Sequence, residues 1–261
     1  MASPTTHWTP LVSAKISEVL ADTKFIVPTT EFSSIPSPDS VFASGIDHTL
    51  LKPEATLAQI DALCAQAIKY KFKSCCVNGA NVGRVSKNLE GSGVLTCAVI
   101  GFPLGAGTSA SKAFEAADAV KHGAHEIDMV VNIGALKSGD YGLVHDDIRA
   151  VVVSAAVPVK VILETVFLSD EEKIAASFLA ADAGAAFVKT CTGFLGGGAT
   201  AGDVLLMRKT VAFKEGVKVK ASAGIRSFGK CVEMFKAGAE RIGTSSGAAI
   251  MESVDVAAGS Y

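Results

Sequence analysis

Short apolar or β-branched runs alternate along most of this chain with longer, Ala-rich stretches of helical spacing. The runs fall at residues 42–47, 74–78, 94–101, 126–131, 157–164, 186–190, 217–221 and 241–243. Between them, residues 57–70, 109–122, 143–155, 170–183, 202–214 and 228–237 place apolar side chains three and four apart, the period of a helix with one buried face. Regular alternation of strand and helix implies parallel strands joined by right-handed crossovers. Eight such units in roughly 220 residues fit a closed barrel better than a doubly wound sheet, because no G-x-G-x-x-G follows the first strand. The expected fold class is therefore α/β, a (β/α)8 TIM barrel, occupying residues 41–261.

Punctuation along the chain agrees with that expectation. Lys121-His122-Gly123-Ala124, Ala183-Gly184-Ala185 and Ala237-Gly238-Ala239 each put a glycine between a helix and the next strand, where a left-handed residue closes the helix. Residues 1–40 differ: Ser, Thr and Pro dominate, and one amphipathic segment, 11–20, carries Leu11, Val12, Ile16, Val19 and Leu20 at helical spacing. Ile35-Pro36-Ser37-Pro38 then interrupts regular structure. These residues are expected to form an N-terminal extension with a short helix.

Composition narrows the partners. The 261 residues are 49% hydrophobic, enough for a large core, and 24 Lys and Arg face 26 acids for a formal net charge of −2. No basic field invites nucleic acid or an anionic membrane, so small-molecule partners are expected. Six cysteines without a C-x-x-C pair point to reduced thiols rather than a disulfide framework or zinc site. His122 and His125 straddle a helix end, which argues against a metal pair. The first 40 residues hold no apolar segment of signal-peptide length, no arginine precedes Arg84, and no stretch is apolar enough to span a bilayer, so a cytoplasmic location is expected.

Candidate chemistry collects where strands end, the face on which barrels of this kind place their active sites. Asp47 and Thr49, Asn78, Asp128 and Asn132, Glu164, Lys189 and Thr190, and Lys220 and Ser222 all stand at such ends. Lys189 closes the apolar run Ala185-Ala186-Phe187-Val188; it is either a lysine reaching from the sheet rim to water or a buried amine. Lys220 ends the next strand, and a like charge within a few ångströms disfavours protonation of either amine, freeing one to form an iminium with an aldehyde or ketone. Asp128 either manages the protons of that reaction or forms a structural salt bridge to one of the same lysines. Cys76, at the end of strand two, is either a reactive thiol near the mouth or ordinary packing. Glycines and small hydroxyls fill the loops after strands six, seven and eight, 192–198, 222–226 and 243–247, and let backbone N–H groups approach a phosphate.

At these residues the chain resembles deoxyribose-phosphate aldolase, a family of class I, Schiff-base aldolases on a (β/α)8 barrel. The resemblance rests on Ile46-Asp47-His48-Thr49-Leu50-Leu51-Lys52-Pro53, Val99-Ile100-Gly101-Phe102-Pro103-Leu104-Gly105, Glu126-Ile127-Asp128-Met129-Val130-Val131-Asn132-Ile133-Gly134, and residues 187–193, 220–226 and 243–247. It implies reversible cleavage of 2-deoxy-D-ribose 5-phosphate to D-glyceraldehyde 3-phosphate and acetaldehyde, with no metal and no organic cofactor. By motif position, Lys189 corresponds to the Schiff-base lysine, Lys220 to the partner that depresses its pKa, and Asp128 to the proton-transfer group. Asp47, Thr49 and Thr190 are expected near the substrate, with Gly193, Gly224, Arg226, Gly243, Ser245 and Ser246 at the phosphate end. Some members carry a C-terminal tyrosine that reaches into the site, so Tyr261 is expected to help protonate the acetaldehyde enamine. A homodimer is the expected assembly. One departure stands out: the family's loop after strand seven carries adjacent glycines where this chain has Ala223-Gly224, and the added methyl restricts φ. Another class I phosphosugar aldolase, a transaldolase-like enzyme, a phosphosugar isomerase and a non-catalytic phosphate-binding relative are the alternative readings.

Overall fold

A computed structural model describes residues 4–253. Eight parallel strands, β1 (Ile46–Leu50), β2 (Ser74–Val77), β3 (Leu95–Ile100), β4 (Glu126–Val130), β5 (Val159–Ile162), β6 (Phe187–Lys189), β7 (Lys218–Ser222) and β8 (Arg241–Thr244), pair in chain order and close through β1 on β8. The helices are α1 (Pro4–Ala21), α2 (Ser40–Ser44), α3 (Leu57–Tyr70), α4 (Val82–Asn88), α5 (Ser109–Lys121), α6 (Ile133–Lys137), α7 (Tyr141–Ala155), α8 (Asp170–Asp182), α9 (Ala201–Val211), α10 (Phe228–Lys236) and α11 (Gly247–Met251). The fold is the expected TIM barrel.

Local chemistry explains the joints. Thr56, Thr108, Asp140, Ser169, Thr200 and Ser227 each accept a backbone N–H at the start of α3, α5, α7, α8, α9 and α10, and the first and fourth do so within full capping boxes. Gly123, Gly184 and Gly238 follow α5, α8 and α10 with φ of 103°, 94° and 108°, the left-handed closure read from the sequence. The first predicted strand needs correction. Asp39 accepts the N–H of Phe42 and caps α2, so residues 40–44 are helical and β1 begins only at Ile46.

Alternation along the strands splits the interior in two. Outward residues such as Ile46, Val77, Ile100, Ile127, Met129, Val161, Val188, Val219 and Ile242 join the helices in one large apolar cluster, which forms a sleeve around the barrel. Inside the barrel, Leu51, Cys76, Cys97 and Val99, with Phe102 and Phe194 against them, form a small separate apolar group. The remaining inner positions include Asp47, Glu126, Asp128, Lys160, Lys189, Lys220 and Arg241, all buried.

The segment before β1 lies on the outside of that sleeve. α1 extends well past the predicted 11–20 and packs against α7 and α8, with the Trp8 ring 4.4 Å from that of His145 and Lys15 Nζ 4.6 Å from the Phe213 ring centre. Further along, Phe32 stacks on Phe235 at 4.9 Å.

Candidate active site

Charged side chains rise through the barrel in layers. Lowest is Arg241, which donates to Asp47 Oδ1 at 2.7 Å and to Glu126 Oε2 at 3.0 Å, while Ser74 Oγ also donates to Asp47 Oδ1 at 2.7 Å. Above it, Lys160 Nζ reaches Glu126 Oε2 at 2.7 Å and Asp128 Oδ1 at 2.8 Å. Lys220 Nζ sits 2.5 Å from Asp47 Oδ2, an ion pair without hydrogen-bond alignment, and donates to Asp128 Oδ2 at 2.7 Å. Lys189 Nζ is uppermost and donates to that same Asp128 Oδ2 at 2.7 Å. Cys97 Sγ adds a contact to Asp128 Oδ1 at 3.2 Å.

Asp128 is thus the hub between Lys189 and Lys220, and it contacts Lys160 as well. Of the two readings of its sequence position, the salt bridge is present, and to both lysines. Four cations, Lys160, Lys189, Lys220 and Arg241, meet three carboxylates, Asp47, Glu126 and Asp128. Removing one proton from the cluster makes it neutral. Lys189 is the lysine with a single carboxylate partner, and it alone of the three lines the open pocket.

The surroundings fix the charge states of the others. Burial pushes the Asp47 and Asp128 carboxyls up, but Arg241, Lys220 and Lys160 around Asp47, and Lys160, Lys189 and Lys220 around Asp128, outweigh it and hold both well below the ordinary 3.8. Burial pulls Lys220 down, yet Asp128 and Asp47 raise it above its ordinary 10.5. For a carboxylate held low, the stabilisation is complete above the unfolded value of 3.8 and is lost as pH falls through the folded value; for a lysine held high, it is complete below 10.5 and is lost as pH rises through the folded value. The contribution of Asp47, Asp128 and Lys220 to stability is therefore expected to be flat between about pH 4 and pH 10. Urea midpoints across that range check it: a drop near pH 5 to 6 that vanishes in Asp47→Asn would contradict it.

Above the cluster a pocket opens between the ends of β1, β6, β7 and β8. Of the expected substrate residues its wall includes Thr49, Gly224, Arg226, Gly243 and Ser245, together with Lys189, Leu51, Thr192, Ser222 and Ala223. Asp47, Thr190, Gly193 and Ser246 are not in that wall. Asp47 belongs to the charged layers below. Thr190 ties β6 to β7 by donating to the Ser222 carbonyl at 2.8 Å and accepting the Ser222 N–H at 2.9 Å. Ser246 N–H donates to Thr244 Oγ1 and its residue faces a neighbouring groove with His48. Asn78 donates to the Leu51 carbonyl and Asn132 caps α6, so both serve the loops. Tyr261 lies outside the described residues.

Two residues of the site, Lys160 and Arg241, went unread in the sequence, whereas Glu164 was among the strand-end candidates. Lys160 and Arg241 complete the cation count, and Glu164, fully buried at φ 58°, accepts both the N–H and the hydroxyl of Thr192 and so fixes the loop after Lys189. Alternation of charged and apolar residues in Val159-Lys160-Val161 was the available signal for Lys160. Ala223 did stand out, and its φ of 79° puts it in the left-handed conformation that its methyl disfavours. A left-handed alanine costs about 1 to 2 kcal/mol, against about 0.4 to 1 kcal/mol of extra unfolded-chain entropy for glycine. Ala223→Gly is accordingly expected to stabilise the protein by about 0.5 to 1 kcal/mol, read from the shift in urea midpoint.

An interior of this kind places the chain among the (β/α)8-barrel enzymes whose pocket closes over a lysine. The profile of the DeoC/LacD family aldolases matches residues 41–253. A deoxyribose-phosphate aldolase of Lysinibacillus sphaericus is 58% identical over 212 residues, covering 80% of this chain and 94% of its own. Among solved structures, a putative deoxyribose-phosphate aldolase from Coccidioides immitis superposes with a TM-score of 0.87 at 40% identity, covering 95% of this chain and 97% of its own. The tetrameric deoxyribose phosphate aldolase of Aeropyrum pernix gives 0.78 at 33% identity, over 87% of this chain and 98% of that one. The chain belongs to the DeoC/LacD family of aldolases, and it is a lyase.

Proposed function

We propose that this aldolase reversibly cleaves 2-deoxy-D-ribose 5-phosphate to D-glyceraldehyde 3-phosphate and acetaldehyde through a Schiff base on Lys189. The observation that carries the mechanism is Asp128 Oδ2, shared at 2.7 Å by Lys189 and Lys220 below an open pocket. The Lys189 amine, its proton released to solvent so that the cluster below is neutral, adds to C1 of the open-chain sugar. Loss of water gives an iminium, which draws electrons from the C2–C3 bond as the C3 hydroxyl gives up its proton. That bond breaks to release the aldehyde phosphate, and the remaining enamine takes a proton at carbon before hydrolysis frees acetaldehyde and Lys189. Asp128 is the group placed to return protons at each stage, directly or through water.

Arg226 and the backbone of residues 223–226 and 243–245 form the end of the pocket suited to the phosphate, where a guanidinium and approachable N–H groups meet a dianion. Thr49, which follows His48 on the strand beside β8, also lines the pocket and is suited to a sugar hydroxyl. In this reading the reaction belongs to deoxyribose phosphate catabolism in the cytoplasm. Among the described residues no helix is long and apolar enough to cross a membrane. A homodimer remains the proposed assembly, with the Aeropyrum relative showing a tetramer.

Borohydride reduction in the presence of acetaldehyde tests the mechanism. An ethyl group fixed on Lys189, located by peptide mass mapping, is the expected result. An isomerase working by acid and base alone would trap nothing, and trapping at another lysine would reassign the nucleophile.

A further inference from the structure

Two thiols that the reaction above does not use sit against its central carboxylate. Cys76 of β2 and Cys97 of β3 stand opposite each other in register, both inside the barrel and both fully buried. Their sulfurs and a carboxylate oxygen of Asp128 lie within 4.8 Å of one another. Cys97 Sγ is 3.2 Å from Asp128 Oδ1 and Cys76 Sγ 4.0 Å from Oδ2, while Lys160 Nζ donates to Cys97 Sγ at 3.4 Å. Neighbouring strands run about 4.8 Å apart, inside the Cα separation of about 4.4 to 6.8 Å that a disulfide spans. Three ammonium groups already on Asp128 oppose a metal cation at the same place.

The two thiols are not equivalent. A hydrogen bond from Cys97, with help from the Lys220 and Lys189 cations, draws the Cys76 thiol below its ordinary value, whereas burial pushes that of Cys97 up. A thiolate beside a protonated partner is the pairing that oxidises in two steps. Leu51 packs in the same small cluster as both cysteines and also lines the Lys189 pocket, which is therefore the side from which a small neutral oxidant would reach them.

We infer that Cys76 and Cys97 form a redox-active dithiol in the wall of the active site, oxidised to a disulfide by hydrogen peroxide and thereby silencing the enzyme. The Cys76 thiolate attacks one peroxide oxygen; the O–O bond breaks, Cys76 becomes a sulfenic acid and hydroxide departs. Cys97 gives its proton to that hydroxide, forming water, and its sulfur attacks the Cys76 sulfur. The S–O bond breaks, and the second hydroxide takes up the proton Cys76 had released on ionising. Two thiols lose two electrons in all, and one peroxide becomes two waters. The new S–S bond pulls Cys97 Sγ away from Asp128 and Lys160, and a shift of about 1 Å in such a group can cost about a hundredfold in rate.

Reduced full-length protein, treated with hydrogen peroxide, capped at its remaining thiols and digested without reductant, provides the test. A peptide pair linked through Cys76 and Cys97 is expected to accumulate as turnover falls about tenfold or more, and dithiothreitol should reverse both. Cys75 shares a tryptic peptide with Cys76, so the mapping is repeated in Cys75→Ser, where the link must persist. In Cys97→Ala the link and the thiol-reversible loss must both vanish; should that variant fail to fold, fragmentation of the wild-type pair assigns the link by itself. No link, a link through Cys64 or Cys75, a link that leaves turnover unchanged, or reversible inactivation surviving in Cys97→Ala would each overturn the proposal. The linkage is read by mass and does not depend on which sugar is the substrate.

Discussion

Lys189→Met protein is expected to lose turnover by about 10⁴-fold or more, because among the described residues nothing else on the pocket wall offers an amine to a carbonyl carbon. The same variant is expected to keep its resistance to urea, or to gain slightly. Methionine replaces the lysine stem with a flexible chain of similar length, and the buried cluster passes from four cations against three carboxylates to three against three. Steady-state turnover and the urea midpoint together check it. Undiminished turnover would sink the proposed chemistry, while a large loss of stability would mean that the Lys189 charge holds the barrel together.

The opposite balance is expected at Lys160. This lysine is fully buried, makes contacts within 3 Å with both Glu126 and Asp128, and touches no part of the open pocket. Lys160→Met strips Asp128 Oδ1 of its cation and leaves Glu126 with Arg241 alone, a case of removing one member of a buried ionic network, which costs about 3 to 5 kcal/mol. The urea midpoint measures the loss. Pairing the change with Glu126→Gln should recover part of it, since the two sites share a contact and their effects do not add. An unchanged midpoint in the single variant would show that the network stabilises nothing.

These two lysines also show how far the chain could be read before its structure was known. Periodicity sufficed for the barrel because seven of the eight strands begin and end close to where apolar runs do. β1 was misplaced because the Asp39 side chain, invisible to a count of apolar residues, turns 40–44 into a helix. Lys189, Lys220 and Asp128 stood out as charges at strand ends, where barrel enzymes keep their chemistry. Lys160 carries the same charge, but it sits mid-strand between two valines, a pattern shared by any strand with one wet face. Only closure of the sheet shows that the face opposite the valines is the barrel interior and not solvent. Thr190 and Ser246 are a different lesson: residues adjacent in sequence to a site serve its scaffold when the strand's alternation turns them away from the opening, as the Thr190 link to Ser222 does. Ala223 was legible as a departure, and its positive φ gives the reason.

The large apolar sleeve lies outside the strands, and the barrel's inner surface carries the charged cluster beside a small set of apolar side chains such as Val99 and Phe187. Mutational drift in this lineage therefore has two independent territories. Substitutions among the outward valines and isoleucines are constrained chiefly by volume, whereas those of the charged residues facing the axis are constrained by electrical neutrality, so that charges there are best gained or lost in compensating pairs. A library built to alter which aldehydes are accepted should on that account vary inner residues in charge-matched couples and leave the outer shell untouched.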